Sequence, residues 1–183
     1  MAANIDWDEV EKETKPVNSY KDWAPEGVFT TKVGSVELIV SKNKGTQGIK
    51  FNLADTDDYQ FPLYGATAWL SKDKIKWRQH HMKELFVALG FTEAQARKAV
   101  EQCEDSDDLG KSYLAMFEKA LPKSKPVEIE VFKLNEGDKY PTWDFTSNKV
   151  RMNHPNKGKK SDNPLDDAVE LTTEETDGLD MPF

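Results

Sequence analysis

The residues best suited to chemistry in this chain are cations interleaved with aromatic rings. Lys72-Asp73-Lys74-Ile75-Lys76-Trp77-Arg78 opens a stretch of helical apolar periodicity. Lysines at the positive end of a helix dipole are each unfavourable by ~0.3–1 kcal/mol, so their presence points to something outside the helix. Free backbone N–H groups and ammonium groups aimed at one place make a phosphate site. On the helical wheel Trp77 falls nearly opposite the apolar stripe, and an indole exposed between Lys76 and Arg78 suits base stacking, worth ~1–3 kcal/mol per base. The plainer alternative is a solvated helix face with Trp77 tucked under the N-terminal arm.

A second set is Lys42, Lys44 and Lys50, with Tyr59, Tyr64 and Trp69 close behind them and Tyr140 and Trp143 further along. Cations and rings sharing one surface are the footprint of a single-strand track, whereas any one ring alone is more simply core. A third set, Lys149, Arg151, Lys157, Lys159 and Lys160, forms a basic hinge that could follow nucleic acid or serve as a solubilising linker. Glu128 and Glu130 place negative charge on the outer side of their strand, where no nucleic-acid backbone is expected.

Enzyme signatures are missing from the sequence: there is no G-x-x-x-x-G-K-[ST] loop, no G-x-S-x-G elbow and no H-E-x-x-H helix. Asp55, Asp57 and Asp58, like Glu104-Asp105-Ser106-Asp107-Asp108, occupy turn-like stretches where Asp is common. His80, His81, His154 and Cys103 match no standard metal spacing. The expectation is a non-enzymatic protein without cofactor or metal.

The elements that must position these residues follow from periodicity and turn chemistry. Residues 1–24 are polar and acidic and form an N-terminal arm; a domain follows over 25–151, and 152–183 is a linker and tail. Val28 to Val40 reads as a long strand, with Gly34 marking a bulge. Ile49, Phe51 and Leu53 alternate with Lys50 and Asn52 as a second strand, and Tyr59 to Leu70 reads as a third, irregular at Pro62 and Gly65. The spacing predicts a helix from an N-cap at Ser71 to about Leu89, ended by Gly90, with Ile75, Met82, Leu85, Phe86 and Leu89 on its core stripe. Thr92 and Gln95 have capping-box spacing for a second helix, and a third runs from about Lys111 to Leu121. Val127, Ile129 and Val131 alternate in a fourth strand, Asn135 to Asp138 turn, and Lys139 to Val150 make the fifth. The fold class is mainly β with an α insertion. Its element order is that of the five-stranded oligonucleotide-binding (OB) barrel, with a helical segment enlarged to 71–121 between strands 3 and 4.

Charge is distributed unevenly. The chain carries 33 acids and 25 bases, a net −8. Eight of the acids lie between Ser161 and Phe183, with no Lys or Arg among them, so residues 1–160 hold 25 of each sign. The acidity therefore belongs to the tail and leaves the body neutral. From about Met152 onward no packed element can be sustained, and a disordered acidic tail is expected. One cysteine implies a reducing compartment, and no window approaches the ~20 apolar residues of a membrane span; the expected location is cytoplasmic.

The ending Asp180-Met181-Pro182-Phe183, after an acidic stretch, resembles the tip of bacterial single-stranded-DNA-binding proteins, which finish in acids followed by Asp-Ile-Pro-Phe. The resemblance implies a tip that docks replication, recombination and repair proteins. Phe183 would be the anchor in an apolar pocket beside a basic residue, Pro182 and Met181 its apolar support, and Asp180 and Asp177 the charge contacts. Gly178 and Leu179 depart from the family's acidic run. Residues 1–150 are closer to bacteriophage single-stranded-DNA-binding proteins, several of which pair an OB barrel with an acidic tail. The function expected is a protein that coats single-stranded DNA with little sequence preference during phage replication or recombination. An adaptor for replication or recombination proteins with weak or no DNA binding is the alternative, and a small nuclease a third. Whether the chain forms a homo-oligomer is left open by its residues.

Overall fold

The computed structural model describes residues 21–153. Its strands are β1 (Asp22–Trp23), β2 (Gly27–Thr31), β3 (Val33–Val40), β4 (Gln47–Leu53), β5 (Tyr59–Gln60) and β6 (Thr67–Trp69). Helices α1 (Ile75–Ala88), α2 (Glu93–Glu104) and α3 (Leu109–Ala120) follow, then a 3-10 turn at Leu121–Lys123, β7 (Val127–Phe132) and β8 (Thr142–Phe145).

The long first strand breaks where a bulge was expected. β2 and β3 are separated by Lys32, and the β3–β4 register shifts between Val33 and Ser35. A Cβ at Gly34 would stand 3.2 Å from the backbone of Ala54, so the close approach of the two segments leaves a side chain little room. The bend sends the two halves into different sheets. β2 belongs to an antiparallel sheet ordered β2-β7-β8, and β3 to an antiparallel sheet ordered β3-β4-β6; β1 and β5 form a separate parallel pair.

The inner faces of both sheets and the helices share one core. Ile49 and Phe51 of β4, Ile129 and Val131 of β7 and Phe145 of β8 are buried with Met82, Leu85 and Phe86 of α1, Ala96 and Val100 of α2, and Tyr113 and Phe117 of α3. Ring contacts run through it in sequence. Phe86 stacks on Phe117 at 4.3 Å, Phe117 meets Phe51 at 5.2 Å, and Phe51 meets Phe145 at 5.9 Å, which ties helices to both sheets.

Several expectations need correction. The third strand is not continuous from Tyr59 to Leu70. Pro62 has no N–H to give a ladder, and only Tyr59–Gln60 and Thr67–Trp69 pair, on different partners. The last strand covers Thr142–Phe145 rather than Lys139 to Val150. Among the described residues the two sheets do not close into a barrel. β6 and β8 share no ladder; the Thr142 hydroxyl donates instead to the carbonyl of Tyr64 at 3.0 Å. The architecture is two open antiparallel sheets with three helices.

Helix α1 starts at Ile75, and Ser71 is not its cap; Lys74 holds that position without a side-chain capping bond to the helix. The Ser71 carbonyl instead accepts from the Arg78 guanidinium at 2.6 Å. Met82, Leu85, Phe86 and Leu89 are buried as the stripe requires, whereas Ile75 is 50% exposed because the first residue of the helix lies short of the core. The ends read from the sequence hold elsewhere. Gly90 takes a left-handed φ of 112° after α1, and Thr92 and Gln95 form a reciprocal capping box on α2. Among the described residues no helix is long and apolar enough to cross a membrane.

Candidate nucleic-acid interface

Strand register decides which side chains share a surface. In β3-β4-β6, Glu37 lies opposite Lys50, Ile39 opposite Gly48 and Ser35 opposite Asn52, while Lys50 lies opposite Thr67 and Gly48 opposite Trp69. Ile49, Phe51 and Ala68 point the other way into the core. The outer face of this sheet is therefore Ser35, Glu37 and Ile39, then Asn52, Lys50 and Gly48, then Thr67 and Trp69.

Two exposed tyrosines border this face. Tyr64 is 55% exposed, and the Lys50 ammonium stands 5.7 Å from its ring centroid. Tyr140, in the loop between β7 and β8, is 58% exposed and has Lys139 Nζ 5.2 Å from its ring. The Thr142–Tyr64 hydrogen bond brings the two loops side by side. Each ring has a cation at one face and open solvent around it, an arrangement suited to a base on the ring and a phosphate on the lysine. At the opposite end of β4 the hairpin Ser41–Thr46 carries exposed Lys42 and Lys44, closed by bonds from Ser41 N to Thr46 O and from Gly45 N to Ser41 O. β6 runs antiparallel to β4, toward that hairpin, and Leu70 N donates to Gln47 O at 2.8 Å. The approach to α1, with exposed Lys72 and Lys76 and half-buried Lys74, thus leaves the sheet at the end where Lys42 and Lys44 stand.

Not every cation read from the sequence reaches a surface. Arg78 is 6% exposed: its guanidinium forks onto the Glu104 carboxylate, Nε to Oε1 at 3.0 Å and Nη2 to Oε2, and reaches Ser71 O as well. Burial works against the charge on Glu104, but the bonds from Arg78 and from the Tyr113 hydroxyl outweigh it and hold its carboxyl below the usual range. Arg78 is consequently a cross-brace between α1 and α2 and is removed from the interface. Arg151 is likewise engaged, donating to Glu130 at 2.7 Å and lying 5.0 Å above the Phe132 ring. Lys149 stays exposed, 3.9 Å from Glu84.

The aromatic residues divide in the same way. Trp143 is fully buried in the shared core against Phe145. Trp69 is 9% exposed, its ring laid across Gly48, where a Cβ would come within 2.8 Å of the indole. Tyr59 is half-buried, edge-on to Phe29 at 5.8 Å. Trp77 is half-buried rather than exposed, stacked on His81 at 4.8 Å, which leaves one face of the indole covered. Tyr64 and Tyr140 are the expected rings that remain open.

The outer face of β2-β7-β8 has a different character. Thr30 lies opposite Glu128, Val28 opposite Glu130, and Glu130 opposite Asp144. Residues 150–153 fold back across it as a strap. Asp144 accepts from the backbone N–H groups of Met152 at 2.8 Å, of Asn153 and of Phe145 at 2.7 Å. Burial pushes Asp144 up to about 7, against the pull of those donors and of Arg151. On the α1 side His81 Nε2 meets the Val150 carbonyl at 3.3 Å; a carbonyl can only accept, so this nitrogen carries the proton. Burial lowers His81 to about 4.

The sequence reading passed over several residues that border the site. Lys139 was not singled out, although its position next to Tyr140 marks it. Glu37 and Asn52 share the face with Lys50 and follow directly from two-residue alternation once β3 and β4 are paired. Asp177, Asp180, Met181, Pro182 and Phe183, with Lys157, Lys159 and Lys160, lie outside the described residues. No protein-family model, curated protein or solved structure matches the chain.

Proposed function

We propose that this protein binds single-stranded DNA, largely without sequence preference, along the outer face of β3-β4-β6 and the loops at its two ends. The observation that carries the reading is the pair of open tyrosines, Tyr64 and Tyr140, each with a lysine at its ring, bordering a sheet whose far end presents Lys42, Lys44, Lys72 and Lys76. Stacking on the rings and phosphate contacts to the lysines need no particular base. The connectivity supports an OB-type scaffold. A bent first strand is shared between two sheets, it pairs with the second strand on one side and the fourth on the other, and the helices intervene between the third and fourth. Strands 2 and 3 with their loops are the usual track in that fold. In this reading the protein coats DNA during phage replication or recombination without enzymatic activity, and residues 177–183 recruit partner proteins.

The test is a titration of labelled oligo-dT at two salt concentrations. Affinity should fall steeply with salt, and Tyr64→Ala or Tyr140→Ala should each weaken binding about 5- to 150-fold, the equivalent of ~1–3 kcal/mol per stacked base. No binding at low salt would refute the proposal. The resemblance of Asp180-Met181-Pro182-Phe183 to a partner-docking tip favours the adaptor as a second reading. Deleting residues 162–183 separates the two: a coating protein keeps or gains DNA affinity, whereas an adaptor loses partner binding and has no strong DNA affinity to keep.

A further inference from the structure

We propose that Glu37 is a built-in competitor for phosphate, holding Lys50 in a neutralised state that incoming DNA must displace; this rests on the interface reading above. Lys50 is the cation at the centre of the proposed track, next to the open ring of Tyr64. Its Nζ lies 3.6 Å from Glu37 Oε2, and the strand register sets the two residues directly opposite each other on the outer face.

An exposed cross-strand ion pair is ordinarily a minor contribution to stability. Here the carboxylate is fixed by a second partner. The Asn52 amide donates to Glu37 Oε1 at 2.9 Å and to Ser35 Oγ at 3.2 Å, so one carboxylate oxygen is tied to the sheet while the other faces the ammonium. Ser35, Asn52, Glu37, Lys50 and Tyr64 form a continuous polar line ending on the stacking ring. Glu37 is therefore a positioned anion rather than a freely rotating surface acid. Its side chain is 55% exposed and that of Lys50 20%, so a phosphate approaching Lys50 meets the negative charge as well.

Binding at this point is an exchange of anions. In free protein the ammonium is shared between Glu37 and the Tyr64 ring. When a base stacks on Tyr64 and brings its phosphate alongside, the lysine swings on its four-carbon stem to the phosphate, and Glu37 stays on Asn52. The gain from the phosphate contact is reduced by the ion pair it replaces and by the repulsion from the remaining carboxylate. Lys50 should then contribute less to affinity and to salt dependence than an isolated lysine would, leaving base stacking on Tyr64 as the main attraction there. The chemistry suits a site from which a strand must be released as readily as it is taken up.

The experiment compares full-length protein with Glu37→Gln, Lys50→Gln, the double variant and Tyr64→Ala, using fluorescence anisotropy of labelled oligo-dT over a salt series, with thermal unfolding of each to confirm the fold. Glu37→Gln should tighten binding about 3- to 10-fold at low salt and steepen the log–log salt slope by about 0.7, the share of one newly effective phosphate contact. Lys50→Gln should weaken binding, and adding Glu37→Gln to it should change affinity less than about 2-fold. An unchanged or weaker Glu37→Gln, with Lys50→Gln and Tyr64→Ala both impaired, would overturn the role of Glu37 and leave the interface standing. Equal gains from Glu37→Gln in both backgrounds would also overturn it, since the carboxylate would then act by general repulsion and not through Lys50. If Lys50→Gln and Tyr64→Ala leave affinity untouched, the interface itself is refuted.

Discussion

The two antiparallel sheets have the same number of strands and share one core, yet their outer faces are opposites. The outer face of β3-β4-β6 is buried at one corner, where Trp69 lies across Gly48, and otherwise reaches solvent, with Lys50 at its centre, Tyr64 beside it and the Lys42–Lys44 hairpin at its end. The outer face of β2-β7-β8 carries Glu128, Glu130 and Asp144; a strap of its own chain covers its β8 edge with Arg151 as counter-charge, while Val28 and Glu128 stay exposed. The difference teaches that a count of cations is a poor guide to where nucleic acid could lie. Arg78 and Arg151 satisfy carboxylates of the fold itself, and only cations left facing solvent on a surface with open rings can serve a ligand.

Substitutions on the two faces should separate stability from binding. Arg151→Met leaves Glu130 opposite Asp144 without its cation and removes the strap's contact with Phe132. Unfolding free energy should fall by about 2–3 kcal/mol, while oligo-dT affinity of the folded protein changes less than about 2-fold. Denaturant melts and anisotropy measure the two quantities. A large affinity loss without destabilisation would place Arg151 in the interface and blur the contrast.

The strapped edge also has a pH signature. Asp144 is raised from its usual 3.8 to about 7, so between those values the folded protein holds a proton that the unfolded chain releases, and stability falls as pH rises. His81 is lowered from 6.5 to about 4, so in that window the unfolded chain holds the proton, and stability rises with pH. The two slopes oppose one another, each on the order of 1 kcal/mol per pH unit at most, and nearly cancel in the native protein. Removing one should unmask the other. His81→Phe should lose stability as pH rises from 4 to 6.5, and Asp144→Asn should gain it, as followed by denaturant melts at fixed pH. Parallel profiles in the two variants would contradict the assignment.

The smallest expected effect is on the open face. Lys44→Gln should leave stability within ~0.5 kcal/mol, weaken oligo-dT about 2- to 3-fold and reduce the salt slope by about 0.7. A Glu128→Gln control on the other sheet should alter neither affinity nor slope beyond the general effect of one charge.

What could be read in the residues was local. Gly34 announced the bend that divides the first strand, the alternation of Ile49, Phe51, Ile129 and Val131 identified the inner faces, and the Thr92–Gln95 box fixed the start of α2. What could not be read depended on partners distant in sequence. Arg78 shares the helix face of Met82, Leu85 and Leu89, but the reason a cation can be buried there is Glu104, 26 residues later, which comes across from the end of α2. Trp69 and Trp143 have the composition of a stacking platform, yet Gly48 leaves room for one indole to lie flat and the shared core takes the other. The third strand fails because its pattern crosses Pro62, and the chain between Gln60 and Thr67 becomes the loop that carries Tyr64. A strand-breaking proline thus produced the most exposed ring next to Lys50, which a continuous strand would not have offered.

The most direct test of the contrast between the faces is amide hydrogen exchange on the full chain with and without saturating oligo-dT. The account predicts slowed exchange at Lys50, in the Tyr64 loop and in the Ser41–Thr46 hairpin, with β2, β7 and the strap at residues 150–153 unchanged. Protection confined to β2, β7 and the strap, with β4 and the Tyr64 loop unaltered, would contradict it.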